Sequence, residues 1–350
     1  MMLFSSPHLH GGDSIRAQML TVIVALLPAS AAAVWFFGWL ALLLILLCMG
    51  GCIAFEALAL RMMGRPQSVL GDGSAALTGL LFALTLPPFT PWWMALLGCA
   101  IAIVLSKQIY GGLGYNPFNP ALVARIALLV SFPLQMTQWL SPLQAPLFDP
   151  FSLVQSVQLL FAGPASLGLG FDALASASPL GQIKTEWRLG VPVSEALAQL
   201  HYSTLDALVG REAGSIGETS ALALMAGGVL LLARHVITWH IPLAYLATVA
   251  LLAAIFNTID PAHYAPPLFH LLAGGLLLCA LFMATDPVTS PVTPRGKILF
   301  GIGCGLLTWV IRTYGGYPEG AMFAVVLMNA LVPLFDRYLR PRVYGHGGAR

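Results

Sequence analysis

The chain has little charge: only 9% of its 350 residues are Asp, Glu, Lys or Arg, while 58% are hydrophobic. An ordinary soluble domain has roughly a quarter of its residues charged, so this composition excludes a water-soluble globule. The 16 basic and 14 acidic residues nearly balance, which excludes a basic nucleic-acid-binding face and a polybasic membrane-surface protein. The composition therefore predicts a protein whose solvent is the lipid bilayer.

Cysteine is also scarce, and its positions do not suit cross-linking. All five cysteines lie inside apolar runs, namely Cys48, Cys52, Cys99, Cys279 and Cys304. These positions fit neither a disulfide framework nor a soluble zinc site, and no cysteine cluster suits an iron–sulfur centre bound by this chain alone. Cys48 and Cys52 are one helical turn apart, and we interpret them as small packing residues. No P-loop or GxGxxG motif follows a predicted strand.

Ten apolar runs dominate what is present, and most have the roughly 20 residues that a membrane-crossing helix needs. In lipid, a single segment can satisfy its backbone hydrogen bonds only as a helix. The predicted spans cover 17–36, 38–60, 74–88, 91–110, 121–139, 219–236, 240–257, 267–284, 297–313 and 319–336. The third is closed early by Pro87-Pro88, so we predict a short or broken helix. The polar stretch before the first run is too long for a cleaved signal peptide, so that run is predicted to remain as a span.

The Lys and Arg residues of the loops predict the orientation, because cytoplasmic loops carry an excess of them. A cytoplasmic N-terminus places twelve basic residues inside and leaves four outside: Lys184, Arg188, Arg211 and Arg312. With ten spans, both termini are then cytoplasmic. The chain divides into a first five-helix set at 1–139, an outer segment at 140–218 and a second five-helix set at 219–350.

The outer segment contains one amphipathic piece at 151–161, where Phe151, Leu153, Val154, Val157 and Leu160 share a helical face. Such a piece either lies in the membrane interface or packs against the protein's own helices. The segment is too short and too apolar to form an independent soluble domain. We therefore expect it to fold back over the spans.

An internal repeat relates the two five-helix sets. TGLLFALTLPP at 78–88 is echoed by GGLLLCALFMATDP at 274–287, and the stretch at 106–124 is echoed by 310–328. Because five spans is an odd number, the two halves must be inserted in opposite directions, as in many transport proteins. The predicted fold class is thus an all-α polytopic membrane protein of about ten helices, built as two inverted repeats with broken helices.

Ionisable residues in or beside the spans are costly in lipid, so each is a candidate for function. Glu56 lies furthest from a span end, and the sequence leaves open whether it has a pairing role, a place in an ion pathway or neither. For Arg125 and Arg312, near span ends, snorkelling to water is the favoured interpretation. Lys107 and Asp286 complete the set.

The loop GGLGYNPFNPA at 111–121 is the richest candidate in the first half. Pro120 suits the first turn of a helix and Asn119 suits its N-cap. The side chains of Asn116 and Asn119, with the free amides of a helix N-terminus, are also good partners for a polar heterocycle or an anion. In FDALASASPLGQ at 171–182, by contrast, the residues alone indicate nothing more than a turn.

Several long motifs resemble one family: SSPHLH, WWMALLGCAIAIVLSKQIYGGLGYNPFNPA, GSIGETSALAL, TDPVTSPVTPRG, IRTYGGYPEGAMFAV and PRVYGH. They are similar to the RnfD component of the Rnf (Rsx) electron-transport complex, which is related to the NqrB component of the sodium-pumping NADH:quinone reductase. The resemblance runs essentially end to end. It implies a ten-helix flavoprotein of the bacterial inner membrane, in a larger complex that couples electron transfer between ferredoxin and NAD to ion translocation.

The resemblance further implies FMN attached through its phosphate to a hydroxyl residue by a flavin transferase. The family motif is Asp, two residues, Ser or Thr, a small residue, Ala and Thr. Here Asp172 matches its start, Ser176 and Ala177 precede the acceptor, and Pro179 follows it. The acceptor position holds Ser178 in place of Thr, and a serine hydroxyl can form the same phosphoester. Thr219, in GETSA, lacks the preceding Ala and is better suited to an N-cap.

A second flavin, of riboflavin type and bound without a covalent link, is also implied. The family's Asn-x-x-Asn-Pro element matches Asn116, Asn119 and Pro120, with Lys107 and Asp286 as expected neighbours. The resemblance thus predicts a redox subunit that is inactive alone. The alternative functions are a solute or ion transporter of inverted-repeat fold without a redox role, and a purely structural subunit. Neither the coupled ion, sodium or proton, nor the electron direction follows from the sequence.

Overall fold

The computed structural model describes residues 14–140, 151–163, 166, 175–200, 202–317 and 319–340. The described chain is mostly helical and contains several apolar helices, as expected of a polytopic membrane protein. Its first half contains α1 (Ile15–Met62), α2 (Ser74–Thr85), α3 (Trp92–Ala100), α4 (Pro120–Ser131) and α5 (Pro133–Met136).

The connection and the second half supply the remaining elements. The connection contains β1 (Trp139–Leu140), α6 (Leu153–Ala162), β2 (Ala175–Ser176), α7 (Pro179–Arg188), α8 (Val193–Gln199) and α9 (Thr204–Val209). The second half contains α10 (Ala221–Ala233), α11 (His240–Ile259), α12 (Pro267–Leu272), α13 (Leu276–Leu278), α14 (Pro294–Tyr314) and α15 (Ala321–Tyr338).

Among the described residues, four helices are long and apolar enough to cross a membrane: α1, α11, α14 and α15. Five shorter apolar stretches accompany them: Ser74–Thr85, Trp92–Gln108, Pro120–Ser131, Leu153–Ala162 and Ala221–Ala233. The first two predicted spans are found as two helices within α1, which meet at a kink at Gly38. The backbone there has φ 64° and ψ −145°, a combination that glycine adopts without steric cost.

One predicted span is longer than the helix found there, and the segment predicted to be broken in the second half is divided at a glycine. The span at 121–139 ends as a helix at Ser131, because Pro133 disfavours helical geometry at the residue before it. The span at 267–284 is divided into α12 and α13 by a break around Gly274, which has φ 72°. The predicted short third span is confirmed as the 12-residue α2.

Two helical segments continue into π-helical turns. α3 continues as Ile101–Gln108, where the N–H of Ile109 donates to the carbonyl of Val104. α13 continues as Cys279–Met283. Such turns insert one extra residue and occur frequently at functional sites. The first of them carries Lys107.

The connection between the halves packs back on the spanning helices. Lys184 on α7 donates to the carbonyls of Arg312 at 3.0 Å and Tyr317 at 2.9 Å. Phe151 and Leu159 pack against Leu40 of α1. The piece at 151–161 thus packs against the protein through Phe151, Leu159 and Leu160. The single predicted face is wrong, since Leu153, Val154 and Val157 are 46%, 66% and 38% exposed. A two-residue antiparallel pairing of β1 with β2 closes the connection.

The core depends on close helix approaches that only small residues permit. A Cβ on Gly79 of α2 would lie 2.6 Å from the carbonyl oxygen of Cys48 on α1, so these helices pack backbone to backbone. All five cysteines fall within the described residues and are buried and free, and the Cys99 thiol donates to the Cys48 carbonyl at 3.5 Å. This agrees with the packing role predicted for Cys48 and Cys52.

Candidate functional site

One cavity brings together the five residues predicted for the non-covalent site. We call it the asparagine cavity; Lys107, Asn116, Asn119, Pro120 and Asp286 all line it. Its volume is about 160 Å³, against ~10–15 Å³ for a site that just holds one water molecule. Residues far apart in the sequence therefore enclose a space large enough for an organic ligand.

The asparagine loop folds as the sequence predicts. Pro120 occupies the first turn of α4, and Asn119 is its N-cap, with Oδ1 accepting from the N–H of Ala121 at 3.1 Å. The Nδ2 of Asn119 donates to the carbonyl of Met283 at 3.4 Å, which links the loop to the end of the α13 π-helical turn. Both ends of the Asn119 amide are therefore already engaged within the protein.

Asn116 differs from Asn119, because its amide oxygen has no hydrogen-bond partner in the described part of the chain. Its Nδ2 donates to the carbonyl of Phe118 at 3.1 Å, whereas its Oδ1 has no hydrogen-bond partner among the described residues. The residue is only 5% exposed. A buried acceptor without a partner is costly, so Asn116 is the asparagine here that suits a ligand N–H.

Asp286 supplies the negative end of this cavity. Its Oδ1 accepts from the N–H of Val288 at 3.1 Å, and its Oδ2 accepts from the hydroxyl of Thr289 at 3.4 Å. These contacts fix the turn that follows the α13 π-helical segment. Asp286 lines the cavity and is partly exposed as a residue.

Lys107 connects the cavity to a buried ion pair. Its Nζ lies 2.6 Å from Glu56 Oε1 and donates to the hydroxyl of Ser74 at 2.6 Å. Gln108 Nε2 donates to the same Glu56 oxygen at 2.6 Å. Glu56 is 0% exposed, and Glu56 Oε2 and Gln108 Oε1 have no partner among the described residues. Glu56 thus takes the pairing role, one of those the sequence left open.

A second cavity surrounds the predicted covalent attachment residue. We call it the serine cavity; its volume is about 30 Å³. Its lining includes Ser178, Pro179, Arg125, Trp139, Glu212, Glu218 and Glu319. It is therefore much smaller and more highly charged than the asparagine cavity.

Ser178 is the N-cap of α7. Its Oγ accepts from the N–H of Gly181 at 3.2 Å, Pro179 follows at the first helical position, and the residue is 9% exposed. Ala177 is exposed, and the backbone of Ser176 pairs with Trp139. Asp172, the start of the motif, lies outside the described residues.

Thr219, the alternative acceptor, does not cap a helix as expected. Ser220 is the N-cap of α10, accepting from the N–H of Ala223. The Thr219 hydroxyl donates instead to the carbonyl of Ile216 at 3.2 Å and is buried. The reason is that the 3₁₀ turn Ile216–Glu218 precedes the helix, which shifts its start by one residue.

The predicted snorkelling of Arg125 and Arg312 is wrong, since they are 3% and 5% exposed. Arg312 donates to the carbonyl of His270 at 2.6 Å and pairs with Glu319 at 3.1 Å. Arg312 thus donates hydrogen bonds to backbone carbonyls near the break between α12 and α13. Arg125 faces the serine cavity. Both arginines are therefore buried among other parts of the chain, although each lies near the end of a predicted span.

Sequence reasoning did not associate Arg125, Glu212, Glu218 or Glu319 with Ser178. Burial raises the pKa of the Glu212 carboxyl to about 7, and nearby Asp206 adds to the rise. The one sequence feature that could have pointed to this group is Arg125, because a charged residue inside a predicted span is a candidate for function. Within the described residues, no group of His, Cys, Asp and Glu side chains could hold a metal ion.

Comparison with known proteins agrees with these motifs. The model of the NQR2, RnfD, RnfE family matches residues 2–345. A protein of Stutzerimonas stutzeri, named as the D component of an ion-translocating oxidoreductase complex, is 50% identical over 333 residues, covering 95% of this chain and 93% of that protein.

Two further relatives carry the same name. The protein of Halorhodospira halophila is 46% identical, covering 98% of this chain and 95% of its own length. The protein of Escherichia coli O81 is 46% identical, covering 98% of this chain and 97% of its own. By these matches along nearly its whole length, the chain belongs to the NQR2, RnfD, RnfE family.

Proposed function

We propose that this chain is a membrane subunit of an ion-translocating oxidoreductase complex, as its relatives are named, and that it carries two flavins. The observation that carries the flavin part is the asparagine cavity, where five residues singled out by the family motif and its neighbours converge. Bound flavins supply one- and two-electron transfer, while the protein sets their position and potential.

The residues of the asparagine cavity fit a riboflavin-type ligand. Asn116 Oδ1 is a buried acceptor without a partner among the described residues and suits a ring N–H. Lys107 places a cation beside the same space, and Asp286 offers an acceptor for hydroxyl groups. Asn119 and Pro120 act by holding the loop at the start of α4.

The serine cavity fits the phosphate end of a covalent FMN. Ser178 presents a hydroxyl whose oxygen accepts from the backbone N–H of Gly181, and a flavin transferase would modify it through the motif of Asp172, Ser176, Ala177 and Pro179. The cavity of about 30 Å³ suits a phosphoryl group, not a flavin ring, so the ring of this flavin would lie outside it.

The subunit is proposed to be inactive alone. No nucleotide-binding motif is readable in the sequence, so sites for NAD and ferredoxin belong to other subunits of the complex. The chain's own part is to bind the two flavins at fixed positions across the membrane. Glu56, paired with Lys107 beside the asparagine cavity, is proposed as a member of the ion pathway.

The proposed topology has ten spans in two inverted five-helix repeats, residues 1–139 and 219–350, separated by the outer segment 140–218. Both termini lie in the cytoplasm of an inner-membrane protein. Leaving out the buried Lys107, Arg125 and Arg312, the basic residues still divide ten inside to three outside.

Peptide mass spectrometry tests the covalent part directly. Protein produced with its flavin transferase should yield a peptide spanning residues 172–184 that carries the mass of FMN in phosphoester linkage at Ser178. An unmodified peptide at full coverage would refute the covalent assignment. A purified protein without any yellow chromophore would favour the alternative, a transporter without a redox role.

A further inference from the structure

Arg125 is a buried cation with unused hydrogen-bond donors. Its Nη2 donates to the carbonyl of Met136 at 3.3 Å, while Nε and Nη1 have no partner among the described residues. The residue is 3% exposed, and its guanidinium lies 5.8 Å from the centre of the Trp139 ring. Both Arg125 and Trp139 line the serine cavity, so the free donors adjoin that space.

No carboxylate in the described chain forms an ion pair with Arg125. Three carboxylates line the cavity. Glu319 pairs with Arg312 at 3.1 Å, and Glu218 accepts from the N–H of Ser215 at 3.2 Å. Glu212 Oε1 has no partner among the described residues, and no hydrogen bond joins it to Arg125. A buried charge without a partner is strongly destabilising in a membrane protein. The charges of Glu218 and Glu319 act on Arg125 from nearby, but its Nε and Nη1 form no hydrogen bond with the described residues. The guanidinium therefore keeps two donors for a further partner.

Ser178 lies in the same cavity at the N-terminus of α7, a helix of 10 residues. Helix N-termini carry a partial positive charge and attract anions. The guanidinium and this helix end thus border one space of about 30 Å³. Such a space holds two or three water-sized groups, which is comparable with a tetrahedral phosphoryl group.

The geometry points to Arg125 as the anchor of a phosphoryl-anion site in the serine cavity. Its free N–H groups donate charge-assisted hydrogen bonds to phosphoryl oxygens, which are about twice as strong as bonds between neutral groups. The natural occupant, the phosphodiester at Ser178, rests on the proposed function. The anion site itself is a property of the unmodified chain, so it can be tested without a flavin.

The probe is inorganic phosphate, added to detergent-purified full-length protein made without the flavin transferase. Thermal unfolding is followed against phosphate concentration, with chloride at matched ionic strength as the reference. The wild type should gain stability in a saturable way, because an anion that binds only the folded state stabilises it. Arg125→Gln should weaken phosphate binding by about tenfold or more, and Arg188→Gln, at an exposed position of α7, should leave it unchanged.

Arg125→Lys keeps the positive charge and provides a second variant if the glutamine variant does not fold. It should bind phosphate with intermediate affinity, because an ammonium offers a point charge in place of the planar guanidinium. FMN should compete with phosphate for the wild-type site, whereas riboflavin, which has no phosphate, should not. Equal competition by riboflavin would contradict the assignment.

The two proposals fail in different ways. Arg125-dependent phosphate binding together with an unmodified Ser178 would sustain the anion site and refute the covalent flavin. Covalent FMN at Ser178 together with no phosphate effect in the wild type, or with equal effects in the wild type and both Arg125 variants, would refute the anion site alone.

Discussion

The two cavities adjoin the same short helix, α4, but they differ in size and in what they leave unpaired. Asn119 caps the helix beside the asparagine cavity, and Arg125, six residues later, faces the serine cavity. Six residues of helix span roughly 9 Å. Among the described residues, the larger cavity has an unpartnered acceptor, the Asn116 oxygen, whereas the smaller has the unpartnered donors of Arg125 together with one unpartnered acceptor, Glu212 Oε1.

The unpartnered groups indicate which kind of ligand each cavity favours. A ring system with its own N–H groups satisfies a lone acceptor in a roomy site, and an anion satisfies lone donors in a confined one. In the proposed arrangement, helix α4 lies between a site for a neutral heterocycle and a site for a phosphoryl group. The comparison predicts that changes at one cavity leave the ligand of the other in place.

The largest effect is expected at Ser178. Ser178→Ala removes the only oxygen of that side chain, so covalent flavin should be lost completely, while extractable flavin remains. Thr219→Ala, the control at the alternative acceptor, should retain the covalent flavin. In-gel flavin fluorescence after denaturation distinguishes the two, and covalent flavin persisting in the Ser178→Ala variant would move the attachment elsewhere.

The next largest effect is expected at the ion pair beside the asparagine cavity. Glu56→Gln leaves Lys107 buried without its counter-charge, a change that costs about 3–5 kcal/mol in buried pairs. The loss should appear as a lower melting temperature in detergent. The double variant Glu56→Gln with Lys107→Met should recover part of it. A Glu56→Gln protein as stable as the wild type would mean that the pair contributes little.

A smaller effect is expected at Asn116. Asn116→Ala removes one ligand hydrogen bond, so the affinity for extractable flavin should fall by about tenfold, while the covalent flavin is unaffected. Asn257→Ala is the control, because Asn257 donates to the Tyr264 carbonyl away from both cavities. Flavin in the extract is quantified by fluorescence. Full retention in the Asn116→Ala variant would contradict the assigned role.

The smallest effect concerns the pH dependence of stability at the serine cavity. The Glu212 carboxyl has its pKa raised from 4.5 to about 7 in the folded chain, so the folded state keeps a proton that the unfolded state releases. Its contribution to stability is therefore present below pH 4.5 and lost as the pH rises toward 7. Glu212→Gln should weaken the dependence of the melting temperature on pH over this range. The same pH dependence in the variant and the wild type would exclude Glu212 as its source.

The helix start that borders the asparagine cavity could be predicted because its residues are local. Asn116, Asn119 and Pro120 lie within five positions, and Pro and Asn have specific places at a helix start. The same reasoning predicted too long a helix at α4, whose C-terminal end depends on Pro133. It did predict a broken segment ending at Asp286-Pro287, but it did not place the break at Gly274.

The surroundings of Ser178 could not be predicted, because they depend on long-range packing. Arg125, Glu218 and Glu319 belong to three segments that the fold brings together. Their placement follows from helices that end inside the protein, which span lengths alone do not reveal. Likewise, Arg312 was expected to reach water, yet the break between α12 and α13 supplies carbonyl acceptors for it.

The central claim is that one chain holds two flavins by different means at the two cavities. The most direct measurement denatures the purified, transferase-modified protein and quantifies flavin in the polypeptide and in the extract. Our account predicts one FMN retained by the polypeptide and one flavin released. A colourless protein, or a single flavin found wholly in one fraction, would contradict it.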